Sequence, residues 1–146
     1  MTTKLPKGVY EPNTNYPKNK KGLAILGSTV TRPIEELEAI DVAQEVKKIA
    51  MRVSEFTAVC PVTGQPDYYD IDIEFTPNGK GIESKSLKLW LWNFRNEGLF
   101  CEALAPLVLE KVVGAISPFA ATVTTSQTPR GGIAIETVAE YAQPFD

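Results

Sequence analysis

The sequence contains no histidine among its 146 residues, and this absence excludes several kinds of active site. Ser-His-Asp and Cys-His catalysis, zinc sites built on imidazole, and histidine acid–base chemistry all require that side chain. Any chemistry that the protein performs must therefore come from cysteine, carboxylates, lysine, arginine, hydroxyl groups or tyrosine.

Cysteine and long apolar runs are scarce as well. The two cysteines, Cys60 and Cys101, are too few for a four-thiolate zinc site and form no CxxC pair, so we expect free thiols and no metal. No run approaches the ~18 consecutive apolar residues of a transmembrane helix. The start of the chain has lysines but lacks the apolar segment of a secretory signal. These absences predict a cytoplasmic protein without a membrane partner.

The sequence also has no excess of basic over acidic residues. The 15 lysines and arginines stand against 18 acidic residues, a balance that is not typical of a dedicated nucleic-acid-binding protein. The 43% hydrophobic content is enough for a folded core, and the length is that of about one domain. We predict an extended arm over residues 1–22, which are rich in proline, asparagine, lysine and glycine, and a single domain over 23–146.

The periodicity of apolar side chains predicts an α+β domain. Two segments alternate apolar and polar residues as strands do, two place apolar residues at helical spacing, and two further β-rich runs follow. In chain order these segments are 48–54, 69–75, 83–94, 99–116, 121–125 and 132–138. Pro33 also indicates a short helical turn over 31–37. The order β-β-α-α-β-β predicts a four-stranded antiparallel sheet whose open edges favour association into an oligomer.

The first chemically suggestive segment is the loop from Cys60 to Asp67. Its two prolines and one glycine predict a shaped turn after the first strand, and such loops often display reactive groups. A loop of this length can bring the Cys60 thiol and the Asp67 carboxyl into one site. A thiolate nucleophile with a carboxyl proton donor is a workable pair. The alternative is that Cys60 is an ordinary buried apolar side chain.

The second segment, Glu83 to Trp90, begins the first predicted helix. Glu83 or Ser84 can cap that helix, and Lys85 and Lys88 share one of its faces. Paired lysines with serine hydroxyls near a helix start can bind phosphate groups. The alternative is an ordinary solvated helix face.

Together these motifs resemble those of the QueF-type 7-cyano-7-deazaguanine (preQ0) reductases of queuosine biosynthesis. That family carries Cys-Pro-x-Thr-Gly-Gln-Pro-Asp and Glu-Ser-Lys-Ser-Leu-Lys-Leu-aromatic, which are Cys60 to Asp67 and Glu83 to Trp90 here. Shorter matches follow at 94–96, at Phe100 with Glu102, and at 128–132. The resemblance covers residues 23–141, and the length is that of the short, unimodular type.

The resemblance implies a tunnelling fold (T-fold), which agrees with the predicted element order. Subunits of this fold join their sheets into barrels, and the short reductases resemble decamers of two stacked pentamers. The resemblance therefore implies a homo-oligomer whose active sites lie between subunits.

The resemblance also implies a mechanism. Cys60 attacks the nitrile of preQ0 to form a covalent thioimide, Asp67 protonates the nitrogen, and two NADPH molecules reduce the adduct to 7-aminomethyl-7-deazaguanine (preQ1). The residues assigned to the substrate are Ile82, Glu83, Ser84, Cys101 and Glu102, the two glutamates accepting hydrogen bonds from the ring. Those assigned to NADPH are Lys85, Ser86, Lys88 and Arg130. Free preQ0 as substrate requires no nucleic-acid partner.

The chain departs from the family pattern at two histidines. Cys101 stands before Glu102 where the family has histidine, and Glu97 replaces a second one. Cysteine, with a reference pKa of ~8.5, is a poorer proton shuttle near neutral pH. Two interpretations of Cys101 stay open: a space-filling replacement, with Asp67 and water moving protons, or a thiol that forms a reversible disulfide with Cys60.

Two other functions are compatible with the same fold. A QueF-like amidinotransferase of archaeosine synthesis would use the same thioimide and add ammonia, but that class lacks the lysine motif of Glu83 to Trp90. A non-catalytic paralogue would keep the barrel without turnover. A zinc-dependent cyclohydrolase of this fold is excluded because histidine is absent.

Overall fold

The structure is a computed structural model that describes residues 24–26 and 28–145, so the predicted arm over 1–22 lies outside the described residues. The strands are β1 (Ala39–Asp41), β2 (Ile49–Val59), β3 (Pro66–Thr76), β4 (Lys80–Ile82), β5 (Ala120–Arg130) and β6 (Ile133–Ala142). The helices are α1 (Ser84–Leu91) and α2 (Cys101–Ile116), joined through a 3₁₀ turn over Trp92–Asn96. The predicted order β-β-α-α-β-β is confirmed, with β1 and β4 as short additions.

The four long strands form one antiparallel sheet in the order β2-β3-β5-β6. On β3 the apolar side chains of Ile71, Ile73 and Phe75 are buried on the inner face. The carboxylates that alternate with them lie on the outer face, as the period of two predicts. Among the described strands, β2 and β6 are the edges of this sheet.

The two helices cover the inner face. Helix α2 packs on β5 and β6 and fully buries Leu104, Val108 and Val112, which lie at i, i+4 and i+8. Burial of each such side chain stabilises the fold by about 1.5–3 kcal/mol. Leu107, another apolar residue of this helix, is 40% exposed. Neither helix of the described chain is long and apolar enough to cross a bilayer.

A separate two-stranded sheet, β1 with β4, precedes α1. The segment before β1 is irregular, so the prediction of a short helical turn over 31–37 is wrong. This small sheet anchors the start of α1 through the backbone. The Glu83 N–H donates to the Glu38 carbonyl at 2.8 Å, and the Glu38 N–H donates to Ser86 Oγ at 2.9 Å.

The segment from Gly81 to Leu99 runs along the whole length of β2. At one end, a Cβ on Gly81 would lie 3.5 Å from Ile49 Cδ1, so Gly81 lies beside the first residue of β2. At the other end, the Val59 N–H donates to the Glu97 carbonyl at 3.0 Å, and the Leu99 N–H donates to the Val59 carbonyl at 3.1 Å. An 11-residue strand is about 33 Å long. Glu83 and Cys60 therefore belong to opposite ends of β2 within one chain.

Candidate active site

The loop that follows β2 closes on itself and brings Cys60 and Asp67 to the same end of the sheet. The Cys60 N–H donates to the Gln65 carbonyl at 2.8 Å, and the Gly64 N–H donates to the Cys60 carbonyl at 2.9 Å. Gly64 has φ 69°, a left-handed conformation that glycine adopts without strain. Asp67 pairs across the hairpin with Ala58, two residues before Cys60. The loop therefore brings the backbones of Cys60 and Asp67 to the same end of the hairpin, and the pairing of thiol and carboxyl in one site stays a prediction.

A β-bulge aims Cys60 toward the inner face. The register of β2 against β3 shifts between Val53 and Phe56, and Glu55 in the bulge has φ 61°. Before the bulge the odd-numbered residues of β2 face inward, whereas after it Phe56 and Ala58 are buried. A bulge inserts one residue and so exchanges the two faces of the strand beyond it. Cys60, 8% exposed, is consequently on the inner side with Asp67.

The surroundings of Cys60 favour the thiolate. Hydrogen bonds from the Thr63 side chain lower its pKa most, followed by the backbone N–H groups of Thr63 and Val62 and by the Arg130 guanidinium, to about 6. Above that pH the thiolate is the major form, and the thiolate is the nucleophilic form of cysteine. An inert buried cysteine would have a raised pKa instead, so this geometry favours the reactive interpretation of Cys60.

Asp67 is 2% exposed and faces the same site. Arg130 Nη1 lies 3.0 Å from Asp67 Oδ1, close enough for an ion pair. The two groups are not aligned as a hydrogen bond, and Oδ1 accepts no hydrogen bond from the described residues. A buried carboxyl oxygen without such a partner is unusual, and it leaves a position for a group that a ligand would bring.

Arg130 lies in this cluster rather than beside the lysines of α1. It is the last residue of β5, before Gly131 and Gly132, which turn the chain into β6 at φ 58° and 79°. The β5–β6 register shifts between Gln127 and Arg130, a second irregularity at the same end of the sheet. The sequence resemblance implies that Arg130 binds the cofactor. The structure places its guanidinium 3.0 Å from Asp67, where it also lowers the pKa of Cys60.

Two further polar residues of the cluster are absent from the sequence-based assignment. Tyr69 is almost fully buried, and its hydroxyl accepts a hydrogen bond from Gln127 Nε2 at 3.1 Å. Burial, followed by the nearby Asp67, raises the pKa of Tyr69 to about 12, so the phenol stays neutral. Tyr69 follows Asp67 by two residues and pairs with Gln127 across β3 and β5. The period of two along β3 could therefore have identified Tyr69 from the sequence, whereas Gln127 depends on the pairing of β3 with β5.

Cys101 and Glu102 begin α2 at the same end of the sheet. Cys101 is buried, whereas Glu102 is exposed. Burial is the main cause that raises the pKa of Cys101, the neighbouring Glu102 raises it further, and Arg130 opposes both. Cys101 is therefore a neutral thiol near pH 7, unlike Cys60. Both cysteines are free in this structure, and the disulfide between them stays a prediction.

Glu83 caps α1, as the sequence predicts. Its two carboxylate oxygens accept hydrogen bonds from the backbone N–H groups of Lys85 at 2.9 Å and Ser86 at 2.7 Å. The Ser86 hydroxyl is fully buried and donates to the Glu83 carbonyl at 2.7 Å. The same hydroxyl accepts the Glu38 N–H, so it is engaged within the fold, and the assignment of Ser86 to the cofactor stays a prediction.

The two lysines of α1 differ in their surroundings. The Lys85 amine donates to the carbonyl and, at 3.4 Å, to the hydroxyl of Ser28, and burial lowers its pKa. Lys88 is exposed and lines a groove of ≈760 Å³ along the free edge of β2. Arg52 and Arg95 line the same groove. Of these two lysines, Lys88 is therefore the one whose ammonium group is exposed and can bind an anionic ligand.

One chain thus holds only part of the predicted site. Cys60, Asp67 and the start of α2 share one end of the sheet. Ile82 and Glu83 are buried at the other end, and Ser84 is exposed beside them. The structure does not bring these two groups together within a chain. The described residues contain no cluster of three or more histidine, cysteine or acidic side chains that could hold a metal ion.

The chain matches the family described as "QueF-like protein" over residues 66–146. It is 42% identical over 130 residues to the NADPH-dependent 7-cyano-7-deazaguanine reductase of Syntrophus aciditrophicus (strain SB), an alignment that covers 88% of this chain and 92% of that one. It is 41% identical over 119 residues to the enzyme of the same name from Frankia casuarinae, covering 82% of this chain and 95% of that one.

A solved structure is also similar. The archaeosine synthase QueF-Like, in its apo form, superposes with a TM-score of 0.63 at 25% sequence identity. The superposition covers 68% of this chain and 98% of that one. The tertiary fold and the sequence thus point to the same group of proteins.

Proposed function

This chain belongs to the QueF-like family, and we propose that it is an NADPH-dependent nitrile reductase that converts preQ0 into preQ1 in queuosine biosynthesis. Relatives about 40% identical over most of the chain carry the reductase name. One observation in the structure supports the chemistry above all others. A buried cysteine whose pKa is lowered to about 6 shares a site with the buried carboxyl of Asp67.

The first step joins the substrate to the protein. The Cys60 thiolate attacks the nitrile carbon, so that a carbon–sulfur bond forms while one carbon–nitrogen π bond breaks. Asp67, in its protonated form, delivers its proton to the nitrogen. The products are a neutral thioimide on Cys60 and a carboxylate on Asp67, so atoms and charge balance in this step.

Reduction of this adduct to the amine adds two hydrides to carbon and one more proton to nitrogen. NADPH, when bound, supplies the hydrides, one from each of two molecules. Between the two reductions the carbon–sulfur bond breaks and its electron pair returns to Cys60 as the thiolate. A sulfur that is stable as a thiolate is a good leaving group, so the lowered pKa of Cys60 assists both its attack and its departure.

The substrate ring would be held by carboxylates. Glu102 is exposed at the start of α2, at the same end of the sheet as Cys60, and its carboxylate can accept hydrogen bonds from ring N–H groups. Glu83, with Ile82 and Ser84, would provide the second contact. The oxygens of Glu83 already accept two backbone N–H groups, but a carboxylate has about four lone-pair sites and can accept more.

The residues present also fit a polyphosphate cofactor. The groove along β2 carries the cationic side chains of Lys88, Arg52 and Arg95 and the partly exposed ring of Trp92. Arginine and lysine pair well with phosphate oxygens. Lys88 is the central candidate for the NADPH phosphates, and Lys85, which is held against Ser28 and does not line this groove, is a second candidate.

The complete site requires a second copy of the chain. Cys60 and Glu83 are separated by the length of β2 in one chain, and among the described residues no strand of the long sheet pairs with the outer edges of β2 and β6, apart from the bridge between Val59 and Gly98. Open edges of this kind pair readily with another chain. A homo-oligomer in which the sheets join edge to edge would place Ile82–Ser84 of one subunit near the Cys60 loop of its neighbour, and a decamer of two pentamers is the proposed assembly.

Co-expression of two inactive variants tests the shared site. Cys60→Ala removes the nucleophile, and Glu83→Gln weakens the substrate contact. If each site combines Cys60 and Glu83 from different chains, random mixed assemblies recover about a quarter of the wild-type activity, since half of the neighbours supply each intact residue. Mixed assemblies that stay as inactive as the separate variants would contradict a site between subunits.

The proposed function is tested by NADPH oxidation in the presence of preQ0. We expect oxidation that depends on preQ0, with two NADPH consumed per preQ0 and the product heavier by four hydrogen atoms, because a nitrile needs four electrons to become an amine. Absorbance at the NADPH maximum and mass spectrometry of the product measure both quantities. An adduct on the protein without NADPH oxidation, but with release of an amidine when ammonia is added, would instead support the activity of the archaeosine synthase to which the fold is similar.

A further inference from the structure

Arg130 touches both groups that change charge in the first step. Its Nη1 lies 3.0 Å from the buried Asp67 Oδ1, and Arg130 is also one of the groups that lower the pKa of the Cys60 thiol. Half of the Arg130 side chain is exposed, whereas Asp67 and Cys60 are buried, so Arg130 closes the site from its outer side. One arginine is thus paired with the proton donor and also affects the charge of the nucleophile.

The charge of the site is the same before and after the addition. In the form that attacks the nitrile, the negative charge lies on the Cys60 sulfur and the proton lies on Asp67. After the attack, the sulfur is neutral in the thioimide, and the negative charge lies on the Asp67 carboxylate. A single negative charge therefore moves from one residue to the other while the substrate gains a proton, and a cation within reach of both residues can neutralise it throughout.

Arginine is suited to this position. Its guanidinium stays protonated at any pH at which the protein is folded, and its planar fork can donate to two different groups at once. A lysine ammonium is a point charge and would favour one of the two partners. The register shift between Gln127 and Arg130, followed by two glycines at positive φ, places this side chain at the end of the sheet where Asp67 lies.

We propose that Arg130 is a catalytic residue, a fixed cation beside Asp67 that neutralises the negative charge of the Cys60 sulfur before the addition and that of the Asp67 carboxylate after it. This inference rests on the proposed function, because the charge moves only if the thioimide forms. It differs from the assignment of Arg130 to the phosphates of NADPH. If Arg130 bound the phosphates of NADPH, its loss would weaken cofactor binding. If Arg130 is the counter-ion of the two reacting groups, its loss slows the addition step, which precedes any reduction by NADPH.

The test compares Arg130→Gln, Arg130→Lys and a matched control, Arg32→Gln. Arg32 is an exposed arginine whose described contact is a 3.4 Å hydrogen bond to the Pro33 carbonyl. Two measurements need no NADPH. The first is the pH dependence of Cys60 alkylation by iodoacetamide, localised to the Cys60 peptide by mass spectrometry. The second is the rate at which preQ0 forms its covalent adduct with the protein.

We expect Arg130→Gln to move the midpoint of Cys60 alkylation upward from about pH 6, because a hydrogen-bonding cation that stabilises the thiolate is lost. The same variant should slow adduct formation on the order of 100-fold, the usual effect of removing one donor from a developing charge. Arg130→Lys keeps the charge and should recover part of both quantities. Arg32→Gln should match the wild type.

Other outcomes separate the possibilities. If both Arg130 variants keep the wild-type alkylation profile and adduct rate but show a raised KM for NADPH, Arg130 is a phosphate ligand and the inference is wrong. If the wild type itself forms no adduct with preQ0, the proposed function fails, while the alkylation profile still reports on the effect of Arg130 on Cys60. A thermal melt of each variant shows whether it is folded. If Arg130→Gln does not fold, Arg130→Lys can still be compared with the wild type.

Discussion

Cys60→Ala is expected to abolish preQ0-dependent NADPH oxidation, with a loss on the order of 10⁴-fold or more. The reason is that the covalent step has no substitute in this chain. The only other cysteine, Cys101, is buried with a raised pKa and is therefore a poor nucleophile near neutral pH. Alanine in place of a small side chain at the end of β2 should leave the fold intact, which a thermal melt verifies.

Intact-mass spectrometry adds a direct readout of the same variant. Wild-type protein incubated with preQ0 and no NADPH should gain the mass of one preQ0, and Cys60→Ala should gain none. Cys101→Ala is the matched comparison, because it removes the other thiol and should still carry the adduct. A preQ0 adduct on the Cys60→Ala protein would show that another residue is the nucleophile, and the thioimide on Cys60 would no longer be the first intermediate.

Asp67→Asn is expected to lower the rate of adduct formation about 10²–10⁴-fold, the range for loss of a positioned general acid. Asparagine keeps the shape of the side chain but has no acidic proton to deliver to the nitrile nitrogen. It also removes the ion pair with Arg130, whose Nη1 lies 3.0 Å from Asp67 Oδ1. The thiolate of Cys60 would remain available, so iodoacetamide should still label it at pH 7.

Asp70→Asn is the control for this variant. Asp70 lies on the same strand, three residues later and on the opposite, solvent-exposed face of the sheet. Its replacement should leave the rate of adduct formation within about twofold of the wild type, since exposed substitutions away from a site have small effects. An Asp67→Asn protein that forms the adduct at the wild-type rate would remove Asp67 from the role of proton donor.

Much of the fold could be predicted from the sequence because its signals are local. The alternation along β3 and the spacing of apolar side chains in α1 identify those elements without reference to the rest of the chain. β1 and β4 escaped prediction because each has three residues, too few to show a period. The spacing of apolar residues alone does not identify the buried face of α2, because this helix has apolar residues on more than one face and Leu107 is exposed.

The candidate site was predictable in part for the same reason. Cys60 and Asp67 stand at the two ends of one loop, and a hairpin brings such ends together. Tyr69 and Gln127 were open to prediction from the period of two on β3 and β5, once the pairing of those strands was known. The pairing itself joins segments more than 50 residues apart, and no local pattern determines it.

By itself, then, the sequence determined the class of chemistry and the element order. The absence of histidine and the two long motifs restrict the protein to thiol and carboxyl chemistry on an α+β scaffold. The tertiary structure decided which side chains face one another. The bulge at Glu55 turns Cys60 to the inner face, and the register shift before Arg130 contributes to placing that guanidinium beside Asp67. A one-residue shift exchanges the faces of a strand, and its position depends on pairing with distant strands, which only the folded chain establishes.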